Sequence, residues 1–460
     1  MANPLRNFTA LLFCAVLAAP VPALALEDVT FTLGGEVQNE TLLKQLRGAS
    51  LLRTAQREAV SDPQDLFSTA LADYQRLVET LYAQGYYSGI ISIRIDGREA
   101  ALIPALNPPK QITEIKIRID PGKPFRFDTT EISPLAAGTQ LPEGFRRGEP
   151  ARAEVVINAA RSAVDGWRDA GHAKAEIAAQ RLVADHAAQT LAANIAIAPG
   201  PQVRFGDLVL SGDSKVRAER IRRIAGLHTG AIYSPAELKK VANRLRRTGA
   251  FRSVAVTEGE QLKPGDRMDI GVAVVDEKPR RFGAGVEVST YDGLTLSGFW
   301  MHRNLFGGAE RLRFEAEVKG LGHETRGTDF KLKTDFTRPA TWHPDMDFNT
   351  YLEIKRLDED LYEVNQGVLS VGFARYFSKA LSGSAHLQYV YSDIEDDFGA
   401  RDMHNVALPV ALTYNKRNND LNPVSGYYLK AEAAPYLGFG SGENGARVTA
   451  DARGYFGVGS

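Results

Sequence analysis

The chain has 460 residues, of which 44% are hydrophobic and 24% charged, so it can bury a sizeable core and is not disordered throughout. Lysine and arginine (55) nearly balance aspartate and glutamate (56), which argues against a nucleic-acid partner. The single cysteine, Cys14, excludes a small scaffold held together by disulfide bonds.

Residues 1–25 have the form of a secretory signal peptide. Arg6 precedes a short apolar run, and "ALA" at 23–25 is an A-x-A cleavage site. We therefore expect export, with the mature chain starting at or near Leu26. No later stretch holds about 20 consecutive apolar residues, so the sequence predicts no membrane-spanning helix.

One sequence phrase occurs three times. It consists of a strand end, a turn with proline, and a new strand that begins with basic and aromatic residues. It reads "IDPGKPFRF" at 119–127, "IAPGPQVRF" at 197–205 and "VDEKPRRFG" at 275–283. Two pairs of landmarks, Gly171 with Gly249 and Pro121 with Pro199, have the same spacing. A shared period indicates a repeated module. We predict three α+β modules, each with the order strand, helix, helix, strand, strand (βααββ): residues 26–121, 122–200 and 201–277.

Helix signals support this order. Asp62 before Pro63 is a typical N-cap, and Ser234 with Glu237 has the form of a capping box. In the middle module, helical spacing predicts one buried stripe, formed by Ile157, Ala160, Val164 and Trp167.

From residue 278 to residue 460 the pattern changes to strict alternation, from which we predict ten strands and no helix. In the first strand the apolar face is Phe282, Ala284, Val286 and Val288, and the other face is Gly283, Gly285, Glu287 and Ser289. A soluble sandwich alternates too. Densely charged polar faces, tight turns and aromatic residues near strand ends favour a transmembrane barrel.

No pattern in the sequence indicates catalysis, a metal or a cofactor, so we expect neither an enzyme nor a cofactor-binding protein. The eight histidines are scattered. "GSGENG" at 440–445 fits G-x-G-x-x-G, but it lies between two predicted strands with no helix to bind a phosphate. We interpret it as a hairpin loop.

Two motifs resemble signatures of the Omp85 superfamily. "HRNLFGGAERLRFE" at 302–315 is similar to its Asn-Leu-Phe-Gly turn, and "NDLNPVSGYYLKAEAAP" at 419–435 to its Asp-x-x-x-Pro-x-x-Gly turn and strand. The three modules resemble POTRA domains. The resemblance implies POTRA-like modules in the periplasm, followed by an antiparallel β-barrel in the bacterial outer membrane.

The sequence departs from the family pattern in strand number. The resemblance implies sixteen barrel strands, and about ten are predicted here. Arg453, Gly454 and Tyr455 mimic the family's [VI]-R-G-[YF] loop motif, but strict alternation places Arg453 on a lumen-facing strand position. We therefore expect the loop motif and the remaining strands beyond Ser460.

Three modules are similar to the TamA-like branch, the outer-membrane subunits of the translocation and assembly module. This implies insertion of unfolded outer-membrane protein clients, including autotransporters, in contact with outer-membrane lipid. It also implies an inner-membrane-anchored, TamB-like periplasmic partner. A two-partner secretion transporter and a passive porin or adhesin with a periplasmic scaffold remain as alternatives.

Two strand edges are candidate client sites. The first is the seam strand, with Phe282, Gly283, Gly285, Glu287 and Val288, where the glycines weaken pairing and a client strand could add. The alternative role of these glycines is close packing. The second is a strand of the third module, with Arg252, Val254 and Val256, as an edge for an added strand.

Overall fold

The computed structural model describes residues 28–34, 39–290, 293–322 and 327–457. The predicted signal peptide and its cleavage site lie outside the described residues. The chain divides into two compact units, Met1–Trp167 with Ala175–Pro199 and Arg168–Lys174 with Gly200–Ser460. In the part of the chain that the structure describes, no helix is both long and apolar enough to cross a membrane.

The first unit begins with a four-stranded sheet and three helices. The strands are β1 (Asp28–Leu33), β2 (Ile90–Ile95), β3 (Arg98–Glu99) and β4 (Glu114–Asp120), and the helices are α1 (Glu40–Ala49), α2 (Leu51–Arg57) and α3 (Pro63–Ala83). The strand order is β1-β4-β2-β3, with β1 parallel to β4. Alternate residues of β4, Ile115, Ile117 and Ile119, are fully buried in the core with residues of the helices. Asp62 caps α3 as predicted.

A second sheet in the first unit has one helix, whereas the sequence predicted two. The sheet is β5 (Arg126–Ser133), β6 (Glu176–Asp185) and β7 (Thr190–Ala198) in the order β5-β7-β6, with helix α4 (Ala153–Asp169). Prolines and glycines recur between β5 and α4, which explains why that stretch forms turns. Of the predicted stripe on α4, Ala160 is buried and Val164 and Trp167 pack against the core, but Ile157 is wrong. Val156, Ala159, Ala160 and Ala163 are buried, and Ile157 is 54% exposed.

The second unit contains a third sheet with the predicted βααββ order. It consists of β8 (Arg204–Ser211), α5 (Ala218–Ala225), α6 (Pro235–Arg247), β9 (Phe251–Glu258) and β10 (Arg267–Asp276), with strand order β8-β10-β9. Ser234 precedes α6, but its side chain makes no capping hydrogen bond, so the capping box is wrong. Glu237 instead binds Lys240 Nζ at 2.6 Å.

The recurring phrase marks a repeated backbone pattern. In the first unit, Phe125 N donates to Gly85 O at 2.8 Å, and Phe125 O accepts from Ala151 N at 2.9 Å. In the second unit, Val203 N donates to Gly171 O and Val203 O accepts from Tyr233 N, both at 2.9 Å. Gly85 and Gly171 have φ values of +85° and +99°, the left-handed conformation that suits glycine after a helix. The first two copies of the phrase therefore share one pattern, in which a single residue bonds both to a helix-ending glycine and to the following chain, whereas in the third copy Glu277 N donates to Ala250 O.

The rest of the second unit is a large antiparallel sheet. Its strands are β11 (Arg280–Ser289), β12 (Gly293–His302), β13 (Arg311–Leu321), β14 (Asp329–Arg338), β15 (Met346–Glu359), β16 (Tyr362–Tyr376), β17 (Leu381–Asp396), β18 (Gly399–Ala407), β19 (Val410–Asn415), β20 (Gly426–Gly440) and β21 (Gly445–Tyr455). β18 and β19 both lie between β17 and β20, as two parts of one predicted strand. The interruption falls at Pro409, which has no N–H for the ladder.

The register separates two chemically different faces of this sheet. Phe282 pairs with Trp300, which in turn pairs with Phe314, on the apolar face. Glu317 pairs with Lys331 on the opposite face. Alternation of an apolar face with a charged face is typical of transmembrane barrels and agrees with the sequence pattern.

The Asn-Leu-Phe-Gly turn between β12 and β13 packs on α5. Buried Glu310 shapes this turn, because its Oε2 accepts from Gly308 N at 2.8 Å. Two arginines at α5 use the carbonyls that the turn presents. Arg217 N donates to Gly307 O at 2.8 Å, and Arg220, which is buried, donates from Nη2 to Gly308 O at 3.4 Å. The motif thus anchors a helix.

The turn between β14 and β15 packs on α6 through a second pair of arginines. Arg244 binds Asp345 with two hydrogen bonds, Nε to Oδ1 at 2.9 Å and Nη2 to Oδ2 at 2.6 Å. The two side chains are only 9% and 21% exposed. Arg247 lies over the Tyr376 ring, 3.8 Å from its centroid. Burial acts to raise the pKa of Asp345, but the hydrogen bond and charge of Arg244 outweigh burial and hold that pKa below its usual range.

Helix α2 begins at a buried carboxylate. Asp73 Oδ1 accepts from Leu51 N at 2.8 Å, and Oδ2 accepts from Ser50 Oγ at 2.6 Å and from Leu52 N at 3.3 Å. Burial raises the pKa of Asp73, and these hydrogen bonds offset that effect only in part. Because the folded-state pKa is raised, the carboxyl stabilises the fold most at acid pH, and that contribution falls as pH rises through the folded-state pKa.

We expect Asp73→Ala to lower the free energy of unfolding around α2 by about 1–3 kcal/mol, since buried donors lose their acceptor. The measurement is hydrogen exchange of the 50–57 segment in the full-length protein. The loss should be larger near pH 4, around the unfolded pKa, than at pH 7. Asp65→Ala, an exposed carboxylate on the same helix, is the control. Equal protection in the two variants would contradict the prediction.

We expect Arg244→Ala to destabilise the contact of α6 with the β14–β15 turn by about 3–5 kcal/mol, because Asp345 is left buried without its partner. Lys240→Ala, which breaks an exposed pair on the same helix, should cost about 0–1 kcal/mol. Hydrogen exchange of the 339–347 segment is the readout. The double variant Arg244→Ala/Asp345→Ala should lose less than the sum of the single variants, and full additivity would show that the pair is not coupled.

Candidate functional site

β11 has an open backbone edge. Among the described residues β11 pairs only with β12, and β21 pairs only with β20. Along that edge, one side of the β11 backbone has no strand partner within the described part of the chain. The apolar side chains of Phe282, Val286 and Val288 are 78%, 71% and 80% exposed. The predicted seam strand therefore combines free backbone hydrogen-bonding groups with an apolar surface.

The two glycines of β11 have different surroundings. A Cβ on Gly283 would lie 2.6 Å from Cε1 of Phe299, so the ring occupies the space of a side chain. The guanidinium of Arg313 covers the same ring, 4.1 Å from its centroid. A Cβ on Gly285 would meet only Ser297 Oγ, at 2.8 Å. Close packing thus accounts for Gly283 by itself, and weaker pairing remains a hypothesis for both positions.

Charges on the polar face next to β11 largely neutralise one another. Arg313 pairs with Glu315, and Lys331 Nζ lies 3.1 Å from Glu317 Oε1. Glu287 of β11 is opposite Thr295 in the register, and no ion pair to it is found within the described residues. This face therefore carries paired charges, and its described side chains do not cluster around one reacting centre.

The candidate edge in the third module lies on β9, which is an edge strand of its sheet. Arg252 is exposed, whereas Val254 is buried in the core and Val256 is half-buried. The carbonyl of Val254 accepts a hydrogen bond from Arg246 Nη2 at 2.9 Å. A client at this edge would therefore contact backbone and Arg252 more than the valine side chains.

Arg453 lies on β21, opposite Tyr428 of β20. Its Nη2 is 2.7 Å from Asp451 Oδ2, two positions earlier on the same face. The strand interpretation of this segment agrees with the register. The 440–445 segment joins β20 to β21, so it is the predicted hairpin connection.

No group of three or more His, Cys, Asp or Glu side chains that could hold a metal is found where the structure describes the chain. The sequence analysis did not identify the helix arginines that anchor the turns. Arg220 precedes buried Ile221, and Arg244 precedes buried Leu245. An arginine inside the apolar stripe of an amphipathic helix was the available signal.

Known proteins match both parts of the chain. The "Omp85 superfamily domain" matches residues 304–460, and the POTRA family, described as "Surface antigen variable number repeat", matches residues 203–276. An outer membrane protein assembly factor BamA from Nitratidesulfovibrio vulgaris is 26% identical over 238 residues, which is 51% of this chain and 29% of the relative. The chain therefore spans less than a third of that relative's length.

Among solved structures, BamA from Haemophilus ducreyi lacking POTRA domains 1–3 superposes with a TM-score of 0.52 at 14% identity, over 68% of this chain and 64% of that chain. CdiB from Acinetobacter baumannii gives a TM-score of 0.44 at 12% identity, over 71% and 64% of the two chains. The BamA superposition supports the fold alone. The two family matches cover the third sheet with its helices and the large sheet from the Asn-Leu-Phe-Gly turn onward, and on this basis the chain belongs to the Omp85 superfamily.

Proposed function

We propose that this protein helps to insert β-barrel proteins into the outer membrane by pairing their strands with the free edge of β11. The observation behind this proposal is that one edge of β11 has no strand partner among the described residues and lies beside an exposed apolar face. The name of the matched relative, an outer membrane protein assembly factor, supports the same class of function.

The physical reason is the cost of unpaired backbone in lipid. Each N–H or C=O without a partner in hydrocarbon costs several kcal/mol, so a strand cannot enter a membrane alone. A client strand that pairs with β11 satisfies one of its edges before its own barrel closes. Its apolar side chains then continue the surface formed by Phe282, Val286 and Val288. The process requires positioning and no covalent chemistry.

Periplasmic strand edges would hold clients before insertion. β6 is an edge strand with almost every residue exposed, and β9 presents Arg252 at an edge. Extended segments add to such edges through main-chain hydrogen bonds, which tolerate many sequences. Unfolded outer-membrane proteins of different sequence are the clients that this mode of binding suits.

We further propose a TamA-like role, with autotransporters among the clients, outer-membrane lipid around the large sheet, and a TamB-like periplasmic protein as the inner-membrane-anchored partner. The predicted three-module organisation, 26–121, 122–200 and 201–277, supports this assignment. In this arrangement the modules lie in the periplasm and residues from 278 onward lie in the outer membrane.

We expect cysteines on β11 to crosslink to the last strand of a stalled autotransporter barrel in an antiparallel register. Val286→Cys and Val288→Cys suit this test, because both side chains are exposed on one face. Moving the cysteine two residues toward the C-terminus of β11 should move the preferred client position two residues toward the client's N-terminus. Disulfide formation in full-length protein, measured by gel shift, gives the register.

Ala316→Cys and Val318→Cys on β13 are the matched controls, since β13 is paired with β12 and β14 on its two sides. They should not crosslink. Equal crosslinking on β11 and β13 would rule out the seam and leave the module edges as the client sites. A steady ion current with no effect of deletion on other barrel proteins would favour a passive porin, and dependence on a single dedicated substrate would favour a two-partner secretion transporter.

A further inference from the structure

A cavity of about 920 Å³ with several charged side chains in its walls lies in the second unit, below the first two strands of the large sheet. Its walls are the loop before α5, the segment that leads from β10 into β11, and the turn after β12. This volume is in the range of sites that bind small molecules. Of the client-binding strands described above, only β11 reaches it, through its first residue, Arg280.

Four cationic and three acidic side chains line the cavity, so positive charge is in slight excess. Lys215, Lys278, Arg280 and Arg303 line it. Within the described residues, no carboxylate lies within ion-pair distance of Lys278 or Arg280. Arg303 donates from Nη1 to Lys278 O at 2.9 Å, which holds the segment that carries both Lys278 and Arg280.

Two of the carboxylates that line the cavity are already engaged. Asp276 accepts from Ser214 Oγ at 2.6 Å and from Lys215 N at 2.7 Å. Glu277 Oε1 accepts from Lys278 N at 2.9 Å. Asp213, the remaining one, is exposed. The hydrogen-bonding groups left available at the foot of β11 are therefore mainly donors with positive charge.

The cavity lies at the end of the apolar face. Arg280 pairs with His302, and the next pair on the same face is Phe282 with Trp300. Aromatic residues followed by basic residues are typical of a membrane–water interface, where the rings lie at headgroup depth and the cations contact anionic groups. A phosphate bound at this position would belong to a molecule on the lipid side of the sheet and not on its polar side.

We propose that this cavity binds the phosphodiester headgroup of an anionic phospholipid, with Lys278 and Arg280 as the principal contacts. A charged headgroup accepts charge-assisted hydrogen bonds from both side chains. The bound lipid would then lie at the foot of β11, beside the open edge. The site can be tested separately from client pairing, because it uses the side chains of Lys278 and Arg280 and not the backbone edge of β11 or β9.

The test uses full-length protein in detergent, with native mass spectrometry to measure retained lipid. Phosphatidylglycerol is the probe, and phosphatidylcholine, which carries a compensating cation, is the comparison lipid. Lys278→Ala/Arg280→Ala should weaken phosphatidylglycerol binding by about tenfold or more, through loss of two charge-assisted contacts. Arg222→Ala/Lys239→Ala removes two exposed positive charges from α5 and α6, outside the cavity, and should bind as the unchanged protein does.

Three results would overturn the proposal. Equal loss of phosphatidylglycerol in both double variants would mean that net charge and not the cavity holds the lipid. Displacement by a large excess of inorganic phosphate would assign the cavity to soluble anions. Displacement by a peptide with a free C-terminal carboxylate, but not by its amide, would assign it to the end of a client chain. Heat-modifiable migration on gels checks that both double variants are folded.

Discussion

A backbone amide in hydrocarbon has no water to bind, and this constraint governs most of the second unit. Nine strands of the large sheet, β12 to β20, have strand partners on both sides, so their N–H and C=O groups are bonded in ladders. Where Pro409 removes a donor, the strand divides into β18 and β19, and Leu408 N donates to Pro435 O at 2.9 Å across the gap. β11 and β21 are different, because one edge of each lacks a strand partner in the described chain, and β11 is the one with the exposed Phe282, Val286 and Val288 beside it. The same requirement that forces pairing elsewhere makes this edge a place for another strand.

Arginines at α5 and α6 hold the third sheet and its helices against the turns of the large sheet. Arg217 and Arg220 bind carbonyls in the turn after β12, and Arg244 binds Asp345 in the turn after β14. Turns of a sheet usually have free carbonyls that water satisfies, but here helix side chains satisfy them. A buried charge pair of this kind contributes little net stability but penalises any arrangement that separates its partners. It therefore specifies how the third sheet and its helices contact the large sheet.

Local pattern predicted most of the fold. Alternation in β11 to β17 and the helix start at Asp62 depend on neighbours two to four residues apart, and the structure confirms them. Two predictions about helix positions were wrong. The capping box at Ser234 does not form, because Glu237 binds Lys240. The helix face around Ile157 is shifted by one position, since small alanines pack closest to the sheet and leave the larger side chain outside.

Alternation and glycine content predicted the candidate edges, because both patterns can be recognised in consecutive residues of the sequence. The sequence by itself thus determined the two faces of the strands in the large sheet and the superfamily motifs. Only the tertiary structure decided what the glycines and arginines do. The Phe299 ring occupies the space that a side chain at position 283 would need, and Asp345 is the ion-pair partner of Arg244. Both pairs are too far apart along the chain for a local sequence pattern to predict them. Hydrogen bonds and packing join residues by distance in space, and a sequence records that distance only where the residues are neighbours along the chain.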